Sequence, residues 1–349
     1  MLPFKNKTNL LVSLGFVCAL GAIGVSAHLK VEVSANLAKV VNGSLQTIYE
    51  TGFVKANPLN PYAVSVMSAL KYAVFQQASK GAIVGEDGWL FTTEELEVGP
   101  NFYENLQNTA QEVARVDKVM RAHGVKLIPV LVPDKSEVYV EFLDVKRPNE
   151  VETRRTYLLT LLAQTDVEVL DATPVLRTHS GQSPSFVKDD THWSPLGSHA
   201  VADLVGAHAI ALGIELSPAK VTTVQGPPKK LDGDLLKFVP TGRLRGVFGP
   251  TQNQIATFET SVLSEAGLFG DPVVDVALVG TSFSAKADWN FLGFLQEALR
   301  ADVLNFATEG QGPFAPMQSF LASDTFLNMP PKLVIWEIPV RYTSKDMIK

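Results

Sequence analysis

Two segments constrain this chain more than any others: Val125–Val132 and Leu333–Ile338, short runs that are apolar at almost every position. A strand with one wet face alternates apolar and polar residues, whereas a near-continuous run is what a strand buried on both faces of a parallel sheet requires. Similar short strands are expected at Val167–Leu170, Val273–Val279 and Asp302–Phe306. Helical periods separate them at Phe102–Ala122, Val151–Gln164, Pro195–Leu212, from Asp288 or Trp289 to Leu299, and Pro316–Ala322. Strand and helix in alternation predict βαβ units on one parallel sheet covered by helices, an α/β architecture. His123-Gly124 reads as a helix stop, and Ser194-Pro195 as an N-cap followed by a first-turn proline. Gly88-Trp89-Leu90-Phe91 follows a tight Asp-Gly turn. Residues 217–270, rich in Gly and Pro without a clear period, are expected to form an irregular insertion with short strands.

The amino terminus has a different character. Lys5 and Lys7 precede an uncharged run from Leu10 to Ala27 that ends on small residues. This is the pattern of an export signal, and it is also long enough for an uncleaved membrane anchor. Both readings of residues 1–27 place the remainder outside the cytoplasm, in the periplasm of a bacterium. Residues 28–80 are expected to be stalk or linker helices, and 81–349 the globular domain. The single cysteine, Cys18, excludes an intramolecular disulfide. With 30 basic and 36 acidic residues and no long basic run, nucleic-acid binding is not expected.

Candidate chemistry starts at Asp189-Asp190-Thr191-His192-Trp193. In an extended segment, side chains at i and i+2 point the same way, so Asp190 and His192 are able to share one pocket, the carboxylate fixing the tautomer of a general base. The Val279-Gly280-Thr281-Ser282 stretch puts a serine on the exit turn of a buried strand, where a hydroxyl is exposed and backbone N–H groups are available to an oxyanion. Ser284 lies two residues on and is an alternative nucleophile. Other uses of these residues are a cation site built from Asp189, Asp190, His192 and His179, or a loop in which Asp190 only accepts backbone N–H groups. Asp232 and Asp234 read as turn residues, and His199 and His208 as helix side chains.

Asp190-Thr191-His192-Trp193-Ser194-Pro195, Val279-Gly280-Thr281-Ser282-Phe283-Ser284 and Trp336-Glu337-Ile338-Pro339, together with Gly88-Trp89-Leu90-Phe91 and Pro133-Asp134-Lys135-Ser136-Glu137-Val138-Tyr139, resemble the alginate O-acetyltransferase family (AlgJ/AlgX-like) across roughly residues 80–342. The resemblance implies a three-layer SGNH-hydrolase-like domain in permuted order, with the Asp/His pair ahead of the serine. It implies Ser282 as nucleophile, His192 as base and acid, and Asp190 as the orienting carboxylate; with no His-x-His, His-Glu-x-x-His or cysteine cluster in the chain, no metal or cofactor is expected. It implies a polysaccharide acceptor and a membrane-bound O-acyltransferase as acetyl supplier. Ending at Lys349, the chain is expected to lack the carbohydrate-binding module of the larger members and to lie nearer AlgJ. Tyr139, Trp193 and Trp289 are candidates to pack on sugar rings, and Lys135 and Arg341 to meet a uronate carboxylate; Trp336 is expected in the core. A carbohydrate esterase using water as acceptor, and a non-catalytic polysaccharide-binding protein, are the competing functions.

Overall fold

The computed structural model describes residues 5–32, 37–178, 184–264 and 274–348, which fall into two compact units. Met1–Phe75 and Pro240–Gly249 form the first, and Gln76–Val239 with Pro250–Lys349 the second. In the first unit the helix Lys5–His28 contains a stretch, Leu10–His28, long and apolar enough to cross a membrane. Helices Leu37–Val41, Ser44–Ala56 and Asn60–Phe75 follow.

The second unit is built on five parallel strands: β3 (Lys126–Val132), β4 (Leu170–Asp171), β7 (Val276–Val279), β8 (Val303–Asn305) and β9 (Leu333–Pro339), in the order β4-β3-β9-β7-β8. All three central strands are buried almost throughout. Their side chains alternate between two apolar cores. Ile128, Val130, Leu278, Leu333 and Ile335 face helices Pro195–Ala211 and Phe291–Leu299, while Leu127, Leu131, Ala277, Val334 and Trp336 face helices Phe102–Ala122 and Phe314–Leu321. Helices on both faces make three layers. Each fully buried large side chain contributes about 1.5–3 kcal/mol by leaving water.

The punctuation follows the local chemistry. Gly124 takes φ +72° and ends Phe102–Ala122, and the Ser194 hydroxyl accepts a hydrogen bond from the Gly197 N–H. A short antiparallel pair, β1 (Ala82–Val84) and β2 (Leu90–Thr92), flanks the Asp-Gly turn.

The irregular insertion expected over residues 217–270 is corrected. β5 (Ala219–Leu231) and β6 (Asn253–Ser264) form a long antiparallel ribbon. Pro227 and Pro228 lack N–H groups, so the ladder skips from Gly226 to Lys229 and the sequence loses the alternation that marks a strand. The ribbon packs on helices Pro195–Ala211 and Phe291–Leu299. Val273, the expected start of β7, lies outside the described residues.

Candidate active site

At the carboxyl end of β7 the chain turns through Gly280 and Thr281 into the short helix Ser282–Ala285. The register pairs Val279 with Trp336, which sets Glu337 of β9 beside this turn. Glu337 is wholly buried, and its carboxylate accepts hydrogen bonds from the Thr281 N–H (2.7 Å), the Thr281 hydroxyl (3.0 Å) and the Ser284 hydroxyl (3.0 Å). A Cβ at position 280 would lie 2.6 Å from Glu337 Oε2, so only glycine lets the turn pass this close. Burial pushes the Glu337 carboxyl up to about 7, against the pull of hydrogen bonds from Thr281 and Ser284 and the charge of Arg341. Ser284 is buried and its hydroxyl committed to Glu337. Ser282 stands half-buried at the cleft.

The second loop carries Asp190 and His192. Phe186 and Trp193 bridge antiparallel, which holds the intervening residues in a tight loop. His192 Nδ1 lies 2.5 Å from Asp190 Oδ1, and Nε2 lies 2.7 Å from Ser282 Oγ. The His192 backbone N–H also donates to Asp190 Oδ1 (2.9 Å), and the Asp234 N–H donates to Oδ2 (2.9 Å). Burial alone would raise the Asp190 carboxyl; the His192 ring and these backbone donors hold it at about 2, so it is ionised throughout the neutral range. The imidazole is sandwiched, stacked on Trp289 (5.6 Å between centroids) and tilted against Phe283 (4.8 Å).

Lys135 holds the same loop from beneath. Its Nζ donates to the carbonyls of Asp190 (2.6 Å), Val187 (3.0 Å) and Lys188 (3.1 Å). Burial drives its ammonium down to about 8, although Glu95, Asp190, Asp234 and Asp189 all favour the charge. Lys135 is 1% exposed and has no surface for a uronate. The other expected sugar contacts are likewise inside. The Tyr139 hydroxyl meets the Ser185 N–H (2.7 Å), Trp193 Nε1 donates to the Phe283 carbonyl (3.1 Å), and Trp289 packs on His192. Their burial leaves no face for a sugar ring in this structure. Arg341, though 5% exposed, lines the cleft, its guanidinium over Phe283 at 5.2 Å. That cleft, about 690 Å³, is also lined by Thr191, His192, Asp234, Ser282 and Tyr342.

Asp234, read from sequence as a turn residue, accepts from the Thr191 N–H (2.8 Å) and hydroxyl (2.6 Å), so it buttresses the loop that carries Asp190 and His192. Ligand atoms of Asp190, His192 and Asp234 lie within 4.8 Å of one another. A cation among them would have to displace the His192–Asp190 and Thr191–Asp234 bonds, so the donor set fits a proton relay better than a metal. His179 lies outside the described residues. Glu337 was missed as a functional residue, although one carboxylate inside an otherwise apolar strand is a readable signal.

A parallel sheet layered by helices on both faces, with serine, histidine and aspartate meeting on loops at one edge, defines an SGNH-hydrolase-like α/β protein, here with the Asp/His pair preceding the serine in the chain. The chain belongs to the family described as SGNH hydrolase-like domain, acetyltransferase AlgX, whose model matches residues 82–340. It is 34% identical over 317 residues to the probable alginate O-acetylase AlgJ of Pseudomonas aeruginosa, covering 87% of this chain and 81% of that protein. To the Pseudomonas putida protein of the same description it is 32% identical over 313 residues, covering 87% and 80%. The solved O-acetyltransferase domain of Pseudomonas putida AlgJ superposes with a TM-score of 0.70 at 30% identity, over 76% of this chain and 93% of that one. Pseudomonas aeruginosa AlgX shares the fold at a TM-score of 0.58 and 24% identity, over 76% of this chain and 63% of that one.

Proposed function

We propose that this chain transfers acetyl groups to hydroxyls of an exopolysaccharide such as alginate through an acetyl-serine intermediate. The observation that carries the reading is the pair of short contacts joining Ser282, His192 and Asp190 in a domain of the acetyltransferase family. His192 Nε2 takes the Ser282 proton as Oγ attacks the acetyl carbonyl of the donor. The Ser282 N–H, at the start of its short helix, is the candidate donor to the oxyanion. Collapse of the tetrahedral intermediate expels the donor's leaving group, which receives the proton from His192. A sugar hydroxyl then attacks the acetyl-serine, losing its proton to His192, and the proton returns to Ser282 as the ester leaves. Asp190 stays ionised, holds the Nδ1–H tautomer and steadies the imidazolium.

Arg341 lines the same cleft as Ser282, together with Lys80, Lys237 and Lys286, and these cations are the groups available to an acidic sugar. The helix Lys5–His28 serves as an inner-membrane anchor that keeps the domain in the periplasm. A membrane-bound O-acyltransferase supplies the acetyl group. The relatives' descriptions as alginate O-acetylases support the acceptor class.

The test is incubation with an activated acetyl ester, with and without uronate oligosaccharides, followed by mass spectrometry. Acetylated oligosaccharide from the wild type, absent from Ser282→Ala and His192→Ala, is expected. Acetate released at the same rate with or without acceptor would instead make the protein an esterase. Failure to form any acetyl-serine would leave a polysaccharide-binding role.

A further inference from the structure

Charge is divided unequally between the two units. Of the 30 Lys and Arg and 36 Asp and Glu in the chain, residues 1–75 and 240–249 hold eight basic and two acidic ones, so this small unit is cationic while the remainder is strongly anionic. Exposed apolar side chains are concentrated in the same place. Outside the helix Lys5–His28, fifteen of the large exposed apolar residues fall in 29–75 and 240–249, against eleven in the much longer second unit, among the described residues. A soluble surface scatters such groups singly, and a concentration of them marks a surface with a use.

Helix Ser44–Ala56 is fixed to the end of the apolar helix. His28 Nδ1 lies 2.9 Å from the Tyr49 hydroxyl with the two rings edge to face, and Val31 packs so close to Gly52 that a Cβ there would sit 2.8 Å from Val31 Cγ1. Tyr49 therefore sits level with the point where Leu10–His28 leaves a bilayer, the depth at which aromatic residues with a polar tip are favoured. In the same unit Val66, Leu70 and Val74 of helix Asn60–Phe75 face Leu244 and Phe248 across a groove of about 230 Å³ lined only by apolar side chains. Val247 beside it is 78% exposed, and Lys55, Lys71 and Arg243 are exposed cations.

We infer that helices Ser44–Ala56 and Asn60–Phe75, with the 240–249 excursion, form a platform that lies in the headgroup region of an anionic bilayer. It rests on the membrane-crossing reading of Lys5–His28. Acyl chains suit apolar groups spread over two helices and a turn, and lipid phosphates suit the cations beside them. Pro240–Gly249 interrupts the sequence of the second unit between Val239 and Pro250, so the chain carrying the acetyltransferase site touches the membrane twice: at the anchor and again through this excursion.

Single-cysteine proteins test this in full-length form, reconstituted into phosphatidylglycerol-containing vesicles and labelled with an environment-sensitive fluorophore. Native Cys18 reports the anchor. Val247→Cys and, as a reference in the second unit, Ile210→Cys are each made in a Cys18→Ser background; Ile210 is 74% exposed. Brominated lipids are expected to quench the probe at position 247 roughly two-fold, since the platform would set it about 5–10 Å into the interface, and to leave position 210 bright. Charge reversal by Lys55→Glu, Lys71→Glu and Arg243→Glu together is expected to restore emission at 247 while position 18 stays quenched. A water-like probe at 247 with a quenched probe at 18 overturns the platform and leaves the anchor standing. Water-like probes at both sites overturn both. Equal quenching at 210 also overturns it, since the contact would then not belong to this surface.

Discussion

The two halves of the candidate active site are held by buried ionisable groups of opposite kind, one a carboxyl and one an amine. The nucleophile turn hangs on a carboxylate: Glu337 collects an N–H and two hydroxyls from Thr281 and Ser284. The base loop hangs on an ammonium: Lys135 donates to three carbonyls of Val187, Lys188 and Asp190. The difference follows from what each loop leaves unpaired. A chain leaving a strand into a helix exposes donors, which an anion satisfies, whereas a tight loop that turns its carbonyls inward needs a cation. Neither group has to touch substrate. Each converts flexible backbone into a fixed platform, so that Ser282 and His192 meet at 2.7 Å.

The most severe break is chemical. Ser282→Ala or His192→Ala is expected to lower kcat by roughly 10⁴-fold or more, while Ser284→Ala keeps an intact relay; single-turnover acetyl transfer measures both. Asp190→Asn comes next, at about 10³–10⁴-fold, because an amide that donates to Nδ1 imposes the wrong tautomer. A loss at Ser284→Ala as large as at Ser282→Ala would overturn the assignment of the nucleophile.

Smaller effects separate the two anchors. Glu337→Gln and Lys135→Met are each expected to cost activity on the order of 10–100-fold through misplacement, with KM nearly unchanged. Their pH signatures differ in sign. The folded protein keeps the Glu337 proton up to about pH 7, whereas an unfolded chain releases it near 4.5, so stability falls as pH rises between these values and is level above. Lys135 loses its proton near pH 8 when folded and near 10.5 when unfolded, so stability is lowest below about 8 and recovers as pH rises towards 10.5. Each swing is on the order of 3 kcal/mol. Denaturant titrations across pH should show Glu337→Gln flattening only the acidic swing and Lys135→Met only the alkaline one. A variant that flattens both would mean the loops are coupled.

The smallest effect concerns Asp234, whose partly exposed carboxylate accepts from Thr191 and lies 4.0 Å from His192 Nδ1, while its backbone N–H donates to Asp190 Oδ2. Asp234→Ala is expected to reduce kcat by about ten-fold or less, since the direct His192–Asp190 contact persists.

The sequence by itself determined the sheet, the helices and the pairing of Asp190 with His192. Apolar runs such as 126–132 and 333–339 have no stable place except between two layers, and caps such as Ser194 and Gly124 act over a few residues. The i, i+2 spacing of Asp190 and His192 likewise needs only local geometry. Tertiary structure decided the rest. Lys135 and Tyr139, expected to meet a sugar, are covered by the loop that ends at Trp193. Trp193 and Trp289 face inward because the base loop and the helix at Phe291 close on them. The β5–β6 ribbon was hidden because its prolines erase the period, and its stability comes from the helices it covers. Glu337 acquired its role from register alone: parallel pairing of β7 with β9 brings it beside Gly280, fifty-seven residues away in the chain. Local pattern fixes which face of an element is apolar, but only the packed chain decides which polar groups are left to find one another.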